Sequence, residues 1–231
     1  MSSLTGRVAL VTGASRGIGA ATCELLDSAG AQVLRVARTL APDDRHGYHD
    51  LPYDLSQPHQ VEALAQRVLR DNGPPDIVVH SAGGFLLRPL EETSAEDFDS
   101  QTAINLRAAF CLARSFLPPM RSAGAGQFIA IGSVADHVGF PENAAYAASK
   151  YGLRGLLETL LAEYRGTGVR LTLISPGPTD TGLWDPFDPD NREGFPSRSE
   201  MLRPYDVAEA ILFVATRPPH VIIDWLRLGP A

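Results

Sequence analysis

The chain of 231 residues is short of cysteine, of basic charge and of long apolar runs, and each shortage removes a class of protein. Only Cys23 and Cys111 occur, both inside helical patterns. Two thiols so placed make neither a disulfide framework nor a metal cluster, and they fit buried small residues in a reducing compartment. Acidic residues outnumber basic ones, 27 to 20, for a formal net charge of −7. A surface of that sign does not gather phosphate backbones or anionic lipid, so neither nucleic acid nor membrane is an expected partner. No stretch is apolar for long enough to cross a bilayer. Met1-Ser2-Ser3-Leu4-Thr5-Gly6-Arg7 lacks the apolar centre of a secretion signal, so a cytoplasmic protein is expected. The nearest histidine pair, His46-x-x-His49, sits in a polar loop, and no metal site is expected.

What the sequence has is an ordinary globular composition, with 44% hydrophobic and 20% charged residues. That suffices for one α/β domain with a full core, and no linker or repeat divides residues 1–231. Short β-type runs alternate with helical patterns. Strands are expected at 8–12, 32–37, 76–80, 127–131, 170–174 and 224–228, with a short one before Asp54. Helices are expected at 18–28, 57–71, 94–121, 146–166 and 205–216. Ser94 can cap the long helix, with Glu96 and Asp97 in its first turn. Strand–helix alternation predicts βαβ units and a parallel sheet covered on both faces, a Rossmann-like doubly wound sheet of about seven strands. Residues 178–203, rich in Pro, Gly, Asp and Ser, predict a mobile loop, a lid within the same domain. Ligands of such sheets bind beyond the carboxyl ends of the strands.

Two segments carry chemistry. Thr12-Gly-Ala-Ser-Arg-Gly-Ile-Gly19 follows the first strand and opens the first helix. Gly13, Gly17 and Gly19 permit a tight turn and close approach of backbone to a phosphate, and the helix start supplies free N–H groups. Its spacing differs from the G-x-G-x-x-G dinucleotide pattern, but its placement predicts nucleotide binding. Tyr146-Ala-Ala-Ser-Lys150 puts a phenol and an ammonium four residues apart, on one face of a helix. A free tyrosine titrates near pH ~10, and a neighbouring cation is expected to lower that value toward neutrality. Ser133 offers the same centre a hydroxyl.

Together these motifs resemble the short-chain dehydrogenase/reductase family of the classical type, over nearly the whole chain. Thr12-Gly-x-x-x-Gly17-Ile-Gly19 is similar to its cofactor turn, in which Ser15, Arg16 and Ile18 also take part. Ser133, Tyr146 and Lys150 resemble its catalytic set, and Asn105 its fourth member. Asp54-Leu55 resembles the adenine-binding pair. Ala82 and Gly83 follow the fourth strand. Pro176-Gly177 with Thr179 and Thr181 is similar to the turn on the nicotinamide carboxamide. The resemblance implies hydride transfer at a carbonyl or secondary alcohol. Tyr146 would act as general acid or base and Ser133 would hold the oxygen. Lys150 would lower the pKa of Tyr146 and bind the nicotinamide ribose, while Asn105 would kink its helix and hold a water.

Cofactor choice follows from charge. An acidic residue ending the second strand would repel a 2′-phosphate. Here Ala37 stands there, followed by Arg38, with Arg16 projecting from the glycine turn. Two arginine forks make a phosphate site, so NADP(H) is expected in preference to NAD(H). Phe85, Leu86, Val138, Phe140, Leu183, Trp184, Phe187 and Phe195 are expected to line the substrate pocket, which suits a hydrophobic ketone or aldehyde. Asp136 and His137 follow Ser133 closely and are expected to be solvent-exposed, with a polar substrate contact as the alternative.

Some positions depart from the family. Ser81-Ala82-Gly83 replaces Asn-Ala-Gly, and Thr172 stands where asparagine is frequent. The ending Leu226-Arg-Leu-Gly-Pro-Ala231 is unlike the Asp-Gly-Gly end of the 3-oxoacyl-carrier-protein reductases. Gln127 and Thr167 fill places that are basic in those enzymes. Together these weaken a carrier-protein partner. The 3-oxoacyl thioester reductase stays an alternative, as do an NAD(P)-dependent alcohol dehydrogenase and a nonenzymatic nucleotide-sensing regulator. The long helices imply a homodimer or homotetramer.

Overall fold

The computed structural model describes residues 3–41 and 48–231, so His46 and any pairing with His49 lie outside the described residues. Seven strands form one parallel sheet: β1 (Val8–Thr12), β2 (Gln32–Ala37), β3 (His49–Pro52), β4 (Ile77–His80), β5 (Gly126–Ile131), β6 (Val169–Pro176) and β7 (Trp225–Leu228). Their order is β3-β2-β1-β4-β5-β6-β7. The middle strands are near-continuous apolar runs because both faces are covered, as parallel sheets require. In β1, Leu10 enters one core while Ala9 and Val11 enter the other.

Helices α2 (Pro58–Asn72), α4 (Ala108–Ala123) and α5 (Ala144–Glu163) cover the Leu10 face. Helices α1 (Gly17–Ser28) and α6 (Pro204–Ala215) cover the other. The order reverses between β1 and β4, which opens a crevice at their carboxyl ends.

One expectation needs correction. The helical pattern over 94–121 is not one helix. Helix α3 (Ala95–Thr102), capped by Ser94 as expected, runs into a π-turn at Ala103–Arg107 before α4 begins. A π-turn inserts one residue into a helix and re-aims the side chains around it, often at functional sites. Residues 178–203 lie between β6 and α6. They hold 3₁₀ turns at Asp185–Phe187, Pro189–Asn191 and Arg198–Glu200. Arg198 gathers Asp180 at 2.6 Å and Asp185 at 2.7 Å. Among the departures, Thr172 donates to the Ile223 carbonyl and Gln127 to the Ala215 carbonyl, so both serve the fold.

Candidate active site

The crevice is a cleft of ≈ 1680 Å³. At one end, β1 turns into α1 through glycines that tolerate no side chain. A Cβ on Gly13 (φ +68°) would stand 2.8 Å from the Ala82 nitrogen. On Gly19 it would stand 2.2 Å from the Gly13 carbonyl oxygen. Thr12 Oγ1 accepts from the Ser81 and Ala82 N–H groups, both at 3.1 Å, and ties this turn to the loop after β4. The start of α1 carries no side-chain cap and no acidic residue in its first turn, so its N–H groups stay available to an anion. Ser15, Arg16, Ile18, Arg38, Asp54 and Leu55 line the same end. Arg16 and Arg38 are exposed, and neither pairs with a carboxylate among the described residues. A backbone cradle with an N-terminal dipole and two unpaired guanidiniums fits the phosphates of a dinucleotide.

Ser133, Tyr146 and Lys150 come together at the centre of the cleft. Ser133 follows β5 by two residues and caps the next turn, its Oγ accepting from the Ala135 N–H at 3.1 Å. Lys150 is buried, and its Nζ donates to the Ile131 carbonyl at 2.9 Å. Burial lowers the Lys150 pKa to about 8, against the opposing charge of Asp136. The expected depression of Tyr146 is not found: burial pushes it up to about 12, with the Ser133 hydrogen bond acting in the other direction. The cause is geometric. The Lys150 Nζ is turned to the strand carbonyl and lies 5.6 Å from the phenol ring centre, too far to offset desolvation.

Asn105 is buried within the π-turn. Its Nδ2 donates to the Gly84 carbonyl at 3.1 Å and to Ser149 Oγ at 3.0 Å, while its Oδ1 accepts from the Gly84 N–H. It therefore clamps the loop after β4 to α5, one residue before Lys150. Gln101 joins it at 3.2 Å, a contact that the sequence did not signal.

The far end is aromatic. Phe85 meets the edge of Tyr146 at 5.0 Å and packs on Trp184 at 4.9 Å and Phe187 at 5.3 Å. Phe140 and Leu183 also line the cleft, but Val138 and Leu86 do not. The turn Val134–Asp136 carries Val138 outward, and it is exposed. Asp136 and His137 also face away from the cleft. Asp136 is fully buried, accepting from the Ser133 N–H and from Ser175 Oγ, with His137 Nδ1 at 2.7 Å. Sequence reasoning missed Glu142 and Arg192, which form an ion pair between the segment before Tyr146 and the 178–203 segment and both line the cleft. Pro176, Gly177, Thr179 and Thr181 also line the cleft.

No helix among the described residues is long and apolar enough to cross a membrane. The short chain dehydrogenase family model matches residues 7–192. An uncharacterised oxidoreductase of Staphylococcus aureus is 31% identical over the full length of both chains. A metagenomic short-chain oxidoreductase solved with NADP is 34% identical, with a TM-score of 0.85 and complete coverage of both chains. Serine dehydrogenase from Escherichia coli is 26% identical, with a TM-score of 0.84, covering 96% of this chain and 97% of its own. The chain belongs to the short-chain dehydrogenase family, as an oxidoreductase that acts on CH–OH and C=O groups.

Proposed function

We propose that the protein is an NADPH-dependent reductase of hydrophobic ketones or aldehydes, with Asn105, Ser133, Tyr146 and Lys150 as its catalytic set. The observation that carries this reading is the meeting of Ser133, Tyr146 and Lys150 in the cleft that the glycine cradle opens. The cradle at Gly13–Gly19 would hold the pyrophosphate, Asp54 and Leu55 the adenine, and Pro176 to Thr181 the carboxamide. Lys150 and Tyr146 would face the nicotinamide ribose, beside Ala82 and Gly83. When bound, the nicotinamide supplies the hydride.

The protein's residues do the rest. Tyr146 gives a proton to the carbonyl oxygen as it gains alkoxide character. Its high pKa suits donation, since the phenol stays protonated across the physiological range. Ser133 donates a hydrogen bond to the same oxygen. Lys150 keeps a positive charge near Tyr146, and Asn105 holds the helix and loop that aim it. Phe85, Phe140 and Trp184 exclude water and take an apolar substituent. Arg16 and Arg38 support the choice of NADP(H), as does the NADP in the metagenomic relative. We place the enzyme in the cytoplasm as a homodimer or homotetramer joined through α4 and α5, where Phe110 and Tyr151 are exposed.

A second reading is serine oxidation, favoured by the Glu142–Arg192 pair lining the cleft. Its opposite charges match an amino acid's ammonium and carboxylate. The test is turnover with apolar ketones under NADPH and under NADH, alongside serine with NADP. Ketone reduction with NADPH ahead is expected. Tyr146→Phe should still bind NADPH and lose about 10²–10⁴ in kcat. Wild-type kcat in that variant would refute the assignment of Tyr146, and a higher kcat/KM with NADH would refute the cofactor.

A further inference from the structure

Asp136 is the one buried carboxylate among the described residues, and no step above uses it. Its Oδ2 accepts from the Ser133 N–H at 3.1 Å and from Ser175 Oγ, in β6, at 2.5 Å. Its Oδ1 lies 2.7 Å from His137 Nδ1. The far end of this hydrogen-bond chain fixes its direction. The Trp225 indole, in β7, can only donate, and its Nε1 lies 2.8 Å from Ser175 Oγ. Ser175 therefore accepts from Trp225 and points its one proton at Asp136. A buried carboxylate is costly to desolvate unless donors surround it, and here they do.

The carboxylate fills the place of a missing side chain. A Cβ on Gly132 would stand 2.3 Å from Asp136 Oδ2 and 3.1 Å from Ser175 Oγ. Gly132 separates two residues that serve the reaction centre. The Ile131 carbonyl holds Lys150 Nζ at 2.9 Å, and the Ser133 hydroxyl is hydrogen-bonded to Tyr146. The carboxylate is thus seated against the backbone that carries both contacts. Its charge raises the pKa of Tyr146 and opposes the fall at Lys150. The other ionisable groups around it are His137 on its own turn, Tyr146, Lys150 and Arg154 on α5, and Arg227 on β7. The two arginines lie over the Trp225 ring, at 4.2 and 5.0 Å from its centre.

We propose that Asp136 is a positioning residue of this centre: its buried carboxylate, tied to the Trp225 indole through Ser175, locks the Ser133 backbone and seats a fixed negative charge behind Tyr146 and Lys150. The inference rests on reading Ser133, Tyr146 and Lys150 as the catalytic set. The hydrogen bonds aim the Ser133 hydroxyl at the substrate oxygen. The charge favours ammonium over amine at Lys150 and phenol over phenolate at Tyr146. Both effects keep protons in the centre, which suits a group that must give one to a carbonyl. Through Ser175 and Trp225, the last strand of the sheet becomes part of the support of the reaction centre.

The experiment compares wild type, Asp136→Asn and Ser175→Ala as full-length protein. It measures pH profiles for ketone reduction with NADPH and for oxidation of the matching alcohol with NADP. Asp136→Asn keeps the shape of the side chain and removes its charge, so the pKa values of Tyr146 and Lys150 both fall. The alkaline limb of reduction should move to lower pH by about one unit, and the rising limb of oxidation should move the same way. Loosening of Ser133 should lower kcat by about tenfold. Ser175→Ala keeps the charge and cuts the tie to Trp225, so kcat should fall by about threefold with both limbs in place. NADPH affinity should hold in both variants. Wild-type kcat and limbs in Asp136→Asn would overturn the proposal. So would a lower kcat with unmoved limbs, which would mean a packing role only. If Asp136→Asn does not fold, Ser175→Ala decides: a lower kcat at unchanged Tm and NADPH affinity supports the inference, and wild-type kcat overturns it. Failure of the acid–base reading is separately visible, as turnover that survives Tyr146→Phe.

Discussion

The two ends of the cleft are built from different materials. The nucleotide end is backbone: glycines packed against carbonyl and amide groups of neighbouring loops, with Thr12 tying two turns together. The aromatic end is side chain: Phe85 packed against both Trp184 and Phe187, and the Glu142–Arg192 pair bridging to the 178–203 segment. Backbone in a tight turn has little room to adjust, whereas exposed side chains repack. One end is therefore expected to fail abruptly on small changes, and the other to shift its preferences.

Gly19→Ala is the sharpest way to break that contrast. The added methyl would lie 2.2 Å from one backbone oxygen and 2.6 Å from its carbon, and neither belongs to a flexible side chain. A loss of stability above roughly 4 kcal/mol is expected, at the exceptional end of point mutations. NADPH affinity should fall with it. Thermal melts and a fluorescence titration would show both, and a variant that melts and binds like wild type would mean that this turn is softer than its packing indicates.

The same contrast explains what was legible in the sequence. Glycine in a turn is visible because no other residue takes its place, so the nucleotide end could be placed from Gly13, Gly17 and Gly19. The Tyr146–Lys150 spacing was visible because a helix fixes which residues meet. The π-turn at Asn105 was hidden: helical periodicity continues through Ala103–Arg107, and the inserted residue shows only as a change of phase. The pKa of Tyr146 was misjudged because spacing gives proximity but not where Lys150 Nζ points, and the Ile131 carbonyl comes from a distant strand. Val138 was misplaced for a related reason, since the turn after Ser133 rotates the chain outward.

Arg38→Asp sharpens the comparison at intermediate size. Arg38 is exposed at the edge of the cradle and, among the described residues, has no carboxylate partner, so its replacement should leave the fold intact. A carboxylate there repels a 2′-phosphate and attracts ribose hydroxyls. The ratio of kcat/KM for NADPH over NADH should fall by about 10–100-fold, or roughly 1.4–2.7 kcal/mol of discrimination. An unchanged ratio would move phosphate recognition to Arg16 alone. An increased ratio would contradict the charge argument outright.

The smallest effect is expected from Arg192→Ala, at the aromatic end. Glu142 sits at φ +60°, an uncommon conformation for a residue with a side chain, and its backbone carbonyl accepts from the Arg88 N–H at 2.7 Å. The Arg192 guanidinium meets its carboxylate while stacking over Phe195 at 4.5 Å. Both side chains of the pair are about one-third exposed, at 34% each, so water and salt screen the attraction. A pair of that kind contributes about 0–1 kcal/mol. Removing it should therefore lower kcat/KM for a neutral ketone by no more than about fivefold, through KM rather than kcat. Raising the salt to about 1 M, where the screening length shrinks to roughly 3 Å, should bring the wild type close to the variant. Serine makes the measurement discriminating. If Arg192→Ala costs two orders of magnitude with serine and almost nothing with the ketone, the pair recognises a zwitterion, and the aromatic wall beside it is packing for the lid. If both substrates lose little, the pair only steadies the lid, and the wall formed by Phe85 and Trp184 sets the substrate range.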